Sequence, residues 1–197
     1  MKLIFATNNQ HKIDELKNFA GNEFEIITLK EAGIEIDIPE PYDTLEENAS
    51  EKSKVIYKLT NQNCFSEDTG LEIEALNGEP GVKSARYAGD ERSFKANIEK
   101  VLTKLDSMPN RKAQFRAVIS LIFDGKETLF EGICPGKIIQ YSSGTQGFGY
   151  DPIFVPDGSN KTFAEMNIEE KNVFNHRTKA ASKLVAFLQN LKTKATN

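Results

Sequence analysis

The chain has 197 residues, and its 25 lysines and arginines against 29 aspartates and glutamates give a net charge of −4. That balance excludes the broad basic face of a general nucleic-acid binder, and no apolar run approaches the roughly 18 residues needed to span a bilayer. Two cysteines far apart, Cys64 and Cys134, form neither a zinc motif nor a disulfide framework, so a reducing, cytoplasmic setting is expected. With 39% hydrophobic and 27% charged residues, the composition fits one soluble domain, residues 1–197, organised as two lobes. A small polyanion stays within reach if a few cations are focused in one cleft.

Lys2 to Ala6 reads as a buried strand, followed by the polar Thr7-Asn8-Asn9 and a helix from Gln10 to Ala20 with Ile13, Leu16, Phe19 and Ala20 inward. Strand, polar turn, helix is the layout of an anion site at a helix terminus, with Lys12 adding charge; ordinary capping by Asn8 or Asn9 explains it equally well. Phe24 to Leu29 reads as a second strand, and residues 31–43, punctuated by Pro39 and Pro41, as a loop. Thr44-x-x-Glu47 has the form of a capping box opening a helix to about Leu59. On that helix Leu45, Ala49, Lys52, Ile56 and Leu59 share a stripe. Lys52 is its charged member, either snorkelling or paired with an anion.

The stretch Cys64-Phe-Ser-Glu-Asp-Thr-Gly-Leu71 reads as a strand running into a turn at Gly70, with a further strand over 71–76. Alternation places Cys64, Ser66 and Asp68 on one face and Phe65 and Glu67 on the other, so one acid alone looks into a given site. Asp68 is the expected one, because Phe65 marks the opposite face as apolar.

Ser93 to Leu105 has the spacing of an amphipathic helix with Phe94, Ile98, Val101, Leu102 and Leu105 inward, and two strands, 112–123 and 127–141, meet at an Asp124-Gly125 hairpin turn. The segment Gly144-Thr-Gln-Gly-Phe-Gly-Tyr-Asp-Pro152 combines three glycines with two aromatics. It can close over a flat ligand or serve as a tight connection, and it matches neither a dinucleotide-binding nor a P-loop pattern. Thr162-x-x-Glu165 and Asn167-x-x-Glu170 are cap-like, Lys171 follows, and Asn175 precedes a final helix whose first turn carries His176 and Arg177. A cation at that terminus is unfavourable unless an acceptor lies across it.

Together these segments resemble the inosine/xanthosine triphosphate pyrophosphatases. The matching stretches are Ala6-Thr-Asn-Asn-Gln-His-Lys12, Glu47-Asn-Ala49 with Lys52, and Ser66-Glu-Asp-Thr-Gly-Leu71. Pro80-Gly81 with Ser84-Ala-Arg-Tyr87, Gly147-Phe-Gly-Tyr-Asp-Pro152, and Glu170-Lys171 with His176-Arg177 complete them, in the family's order. Asn175 departs from the usual serine. The resemblance implies an α/β fold: an elongated mixed β-sheet flanked by helices, two lobes and a central cleft. It further implies a homodimer and Mg2+-dependent release of pyrophosphate from purine nucleoside triphosphates such as ITP, dITP and XTP.

By the same resemblance Glu47 and Asp68 hold the metal, Asp68 polarises the attacking water, and Glu67 is a secondary candidate. Thr7, Asn8, Asn9, Lys12, Lys52 and Thr69 gather phosphates. Phe148 and Tyr150, flanking Gly149, pack on the purine, Asp151 and Lys171 hold the ribose or base edge, and His176 and Arg177 donate to the carbonyl at position 6. The competing readings are a Maf-like pyrophosphatase of modified pyrimidine nucleotides and a nucleotide-binding regulator without turnover. A Nudix hydrolase is disfavoured, since no helix carries its cluster of glutamates.

Overall fold

The apolar run behind the first residue makes a strand that is buried from Leu3 to Phe5, and the rest of the sheet builds outward from it. The computed structural model of the chain describes residues 1–20 and 23–195. Its elements are β1 (Lys2–Phe5), α1 (Gln10–Ala20), β2 (Glu25–Thr28), α2 (Leu45–Thr60), β3 (Cys64–Ile73), β4 (Pro80–Gly81), α3 (Phe94–Lys104), β5 (Lys112–Phe123), β6 (Lys126–Ile138), β7 (Phe154–Pro156), α4 (Ile168–Phe174) and α5 (His176–Ala195). The strands lie in the order β2-β1-β3-β5-β6-β7, with β4 paired to β3. β1 runs parallel to β2 and β3, whereas β3–β4 and β6–β7 are antiparallel, so the fold is α/β with a mixed sheet.

Two compact units divide the chain. Unit 1 comprises residues 1–68, 117–132 and those from Arg177 onward; unit 2 comprises 69–116 and 133–176. In unit 1, Leu3, Phe5, Phe65, Ile119 and Leu121 pack with Ile13 and Leu16 of α1 and Leu184 and Leu188 of α5. Phe65 stacks flat on Phe5 with ring centroids 4.4 Å apart; burying such a ring stabilises by about 2–3 kcal/mol. A second cluster joins Ile4, Cys64 and Ile122 to Ile56 of α2, and Ile34, Ile36 and Ile38 of the proline-rich loop pack on it. Unit 2 has its own core of Leu71, Ile73, Val101, Leu105, Phe115, Ile153, Phe154 and Phe163.

Three local expectations need correcting. β3 does not turn at Gly70; it is one ten-residue strand ending at Ile73. Glycine is required there for a different reason, since a Cβ would lie 2.7 Å from the Gly81 carbonyl oxygen across the β3–β4 pair. Leu59, expected on the inward stripe of α2, is 60% exposed in the last turn of the helix. Phe94, expected to face inward on α3, is 43% exposed at the first helical position, whereas Val101 and Leu105 are fully buried. The Asp124-Gly125 turn does form, with φ of 47° and 75°, both left-handed as a type I′ hairpin requires.

Candidate active site

Alternation along β3 sorts its side chains as the sequence predicts. On one face Cys64, Ser66 and Asp68 meet α2, through the Ser53 carbonyl, the Ala49 carbonyl and Lys52. On the other, Phe65 enters the core of α1 and α5, and Glu67 meets Lys12 and Arg177.

Lys52 does not snorkel. It is 6% exposed, and its ammonium donates to Asp68 Oδ1 at 2.8 Å, Glu40 Oε1 at 2.6 Å and the Glu67 carbonyl at 3.1 Å. Burial alone would lower its pKa, but Asp68 and then Glu40 outweigh that effect and hold it above the ordinary value. Lys12, half-buried, pairs with Glu67 Oε2 at 3.0 Å and also donates to the Glu67 carbonyl at 3.3 Å. Arg177, 3% exposed, pairs with Glu67 at 3.3 Å and with Glu15 of α1.

The two acids of β3 are therefore set apart electrostatically. Burial pushes Glu67 up, yet Arg177 and Lys12 more than reverse this and hold its carboxyl below the usual range. Burial dominates at Asp68 and leaves its carboxyl raised, although Lys52 and Lys12 oppose it. Of the two adjacent acids, Asp68 thus has the raised and Glu67 the lowered pKa. Each of the three cations is thus engaged by carboxylates: Lys12 by Glu67, Lys52 by Asp68 and Glu40, and Arg177 by Glu67 and Glu15.

The carboxylate that joins Asp68 is Glu40, and the sequence reading had chosen Glu47. Glu47 is exposed, and its carboxylate accepts from the Thr44 hydroxyl at 2.6 Å while its N–H donates to the same oxygen. It is the capping residue its spacing announced. Among the described residues no three histidine, thiol or carboxylate groups converge. Glu40 and Asp68, both within hydrogen-bond reach of one ammonium, still suit Mg2+, which binds one or two carboxylates and completes its shell with water and substrate phosphates. The signal for Glu40 lay in its flanks, because Pro39 and Pro41 stiffen the backbone that presents it.

Near the start of α1, Asn9 accepts from the Lys12 N–H at 3.3 Å and donates its own N–H to Thr7 Oγ1 at 3.2 Å, so Asn9 is the cap. Asn8 donates to the Ile36 carbonyl at 2.8 Å and remains exposed. Thr69 follows Asp68 on β3 and is half-buried.

Unit 2 holds the second group. Asp151 and Lys171, both 4% exposed, form an ion pair at 2.7 Å, and Asp151 Oδ2 also accepts the Phe148 N–H at 3.0 Å. The Lys171 ammonium lies 5.4 Å from the Phe148 ring centre and 5.3 Å from that of Phe163. Gly147 has φ 74°, and a Cβ there would fall 2.0 Å from Asp151 Oδ2, so glycine alone fits. Gly149, half-buried at φ 63°, has open space around it.

Tyr150 departs from expectation: it is 4% exposed, its hydroxyl donates to the Ser84 carbonyl at 2.8 Å, and burial pushes its pKa up. It belongs to the core of unit 2, whereas Phe148 is half-buried.

His176 and Arg177, adjacent in sequence, have different neighbours. The His176 ring stacks on Phe115 in unit 2, with centroids 4.8 Å apart, whereas Arg177 is held by the carboxylates of unit 1. Those carboxylates, Glu15 and Glu67, supply the acceptors that a cation in the first turn of α5 requires.

The model of the Ham1 family matches residues 3–187. The chain is 46% identical over 190 residues to a dITP/XTP pyrophosphatase of Flavobacterium psychrophilum, covering 96% of this chain and all of the relative. A dITP/XTP pyrophosphatase of Porphyromonas gingivalis is 48% identical over 188 residues, with 95% and 97% covered. The structure of the Staphylococcus aureus Ham1 protein superposes with a TM-score of 0.88 at 41% identity, covering 96% of this chain and 99% of that one.

Proposed function

The chain belongs to the Ham1 family, and we propose that it is a dITP/XTP pyrophosphatase, releasing pyrophosphate from deaminated purine nucleoside triphosphates. The observation that carries the reading is the buried Lys52 ammonium, bound between Asp68 and Glu40 and on the Glu67 carbonyl. Hydrolysis of a phosphoanhydride needs oxygen charge neutralised and a water deprotonated more than it needs covalent help. Lys12 and Lys52, both anchored on the Glu67 carbonyl, are proposed to receive phosphate oxygens, with Thr7, Asn8, Asn9 and Thr69 as neutral donors. Asp68 takes the proton of the attacking water. A divalent cation held by Asp68 and Glu40 supplies, when bound, the remaining neutralisation of the phosphate oxygens.

In unit 2, Phe148 packs on the base, and Asp151 and Lys171 hold the ribose or base edge. His176 and Arg177 read the carbonyl at position 6. An adenine amino group facing those donors leaves them unpaired, at about 1–3 kcal/mol each. Mg2+ as the metal, the homodimer and the cytoplasmic setting are proposed from the family likeness; among the described residues no helix is long and apolar enough to cross a membrane.

Pyrophosphate release from ITP, XTP, dUTP, GTP and ATP with Mg2+ tests the reading. ITP and XTP should lead. Preference for dUTP would favour a pyrimidine-directed relative, and no turnover of any substrate a binding protein.

A further inference from the structure

Phe94 is unexplained by the helix it begins. It occupies the first helical position of α3, directly after the Ser93 cap, where the helix dipole favours acidic side chains and a phenyl ring gains nothing. Nor does the core explain it, since the ring is 43% exposed while Val101 and Leu105 carry the burial of α3. Isolated apolar residues on a surface are ordinary, but this one is not isolated. Its ring centre lies 6.2 Å from that of Phe148, with the planes inclined at 47°, so the two rings are in tilted contact and form one continuous aromatic surface. The Phe148 N–H is fixed by Asp151, and Lys171 lies against the Phe148 ring, so half of that surface is held in place.

We propose that Phe94 is a second aromatic wall of the base pocket, contacting the purine in partnership with Phe148 and contributing to preference for a bicyclic base. The inference rests on the reading of Phe148 as the base-packing ring. A bicyclic base laid on Phe148 extends far enough to reach the adjoining Phe94 ring, whereas a single-ring pyrimidine covers Phe148 alone. Phe94 makes no contact with the phosphates in this assignment, so its loss acts on the affinity for the nucleoside and leaves the chemical step alone.

The chain has no tryptophan, so Phe94→Trp installs a single indole fluorophore beside Phe148. Titration with IMP should quench it, and titration with inorganic pyrophosphate should not. In Phe94→Ala the KM for ITP should rise about 2- to 10-fold with kcat unchanged, the thermal midpoint should match that of the wild type, and inhibition by pyrophosphate should be unaltered. Unchanged fluorescence at IMP concentrations that inhibit turnover, or a wild-type KM in Phe94→Ala, overturns the inference. A wild-type chain that releases no pyrophosphate from ITP or XTP sinks the hydrolase reading separately, and the IMP titration still decides whether a purine lies against position 94.

Discussion

Each unit buries an ammonium on a carboxylate, and the surroundings make the two pairs into different instruments. In unit 2, the Lys171 ammonium pairs with Asp151 beside the rings of Phe148 and Phe163, an apolar setting. In unit 1, Lys52 is divided between Asp68 and Glu40, and Lys12 and Arg177 converge on Glu67. An ion pair between Asp151 of the glycine-aromatic segment and Lys171 of α4 fixes the position of that segment. An ammonium shared between two carboxylates can exchange one of them for another anion, and the carboxylate released is then able to take up a cation.

The largest effect should come from the shared ammonium's carboxylate. Asp68→Asn keeps shape and volume but removes the proposed proton acceptor and metal ligand, so kcat for pyrophosphate release from ITP should fall by about 1,000-fold or more, with IMP still bound. Breaking the Lys171–Asp151 pair should act on the fold instead. Lys171→Met leaves the Asp151 carboxylate buried without its counter-charge, at about 3–5 kcal/mol in urea unfolding, and adding Asp151→Asn should recover most of it. A smaller contrast separates the two glutamates: Glu40→Gln should raise the Mg2+ concentration needed for half-maximal turnover by about 10-fold or more, while Glu47→Gln leaves it unchanged. Equal effects from both would break the assignment of Glu40.

The smallest effect isolates burial itself. Cys64 shares its β3 face with Asp68 but has no cation beside it, and burial pushes its thiol up to about 12. The folded thiol keeps its proton where the unfolded one, at an ordinary value of 9.0, loses it. The unfolded chain then binds fewer protons, so this contribution to stability is complete below pH 9 and declines as pH rises toward 12. Cys64→Ala should flatten that alkaline decline in a series of thermal midpoints.

What the sequence revealed and what it concealed follow one line. α1 and α2 were legible because apolar spacing and caps are local, and the face alternation of Asp68 against Glu67 followed from the strand period alone. Gly70 was misread as a turn because its cause, the Gly81 carbonyl, lies eleven residues further along the chain. Glu40 hid in a loop that carries no periodicity, its importance set by Lys52 on a helix that follows. Glu47 shows the converse, since the hydrogen bonds its spacing announced, those to Thr44, are the ones it makes. Tyr150 lay inside an aromatic motif that spacing could not divide into a buried ring and a presented one; the Ser84 carbonyl that claims its hydroxyl is distant in sequence.

The confinement of Gly147 has a practical consequence for anyone seeking to redirect the enzyme. With Asp151 Oδ2 lying where its Cβ would go, a side chain at that position would displace the carboxylate that Lys171 holds, so a library randomised across the whole glycine-aromatic segment would lose that ion pair in most members. Diversity placed at Phe94 and Phe148, with Gly147 held constant, varies the two touching rings and spares the pair.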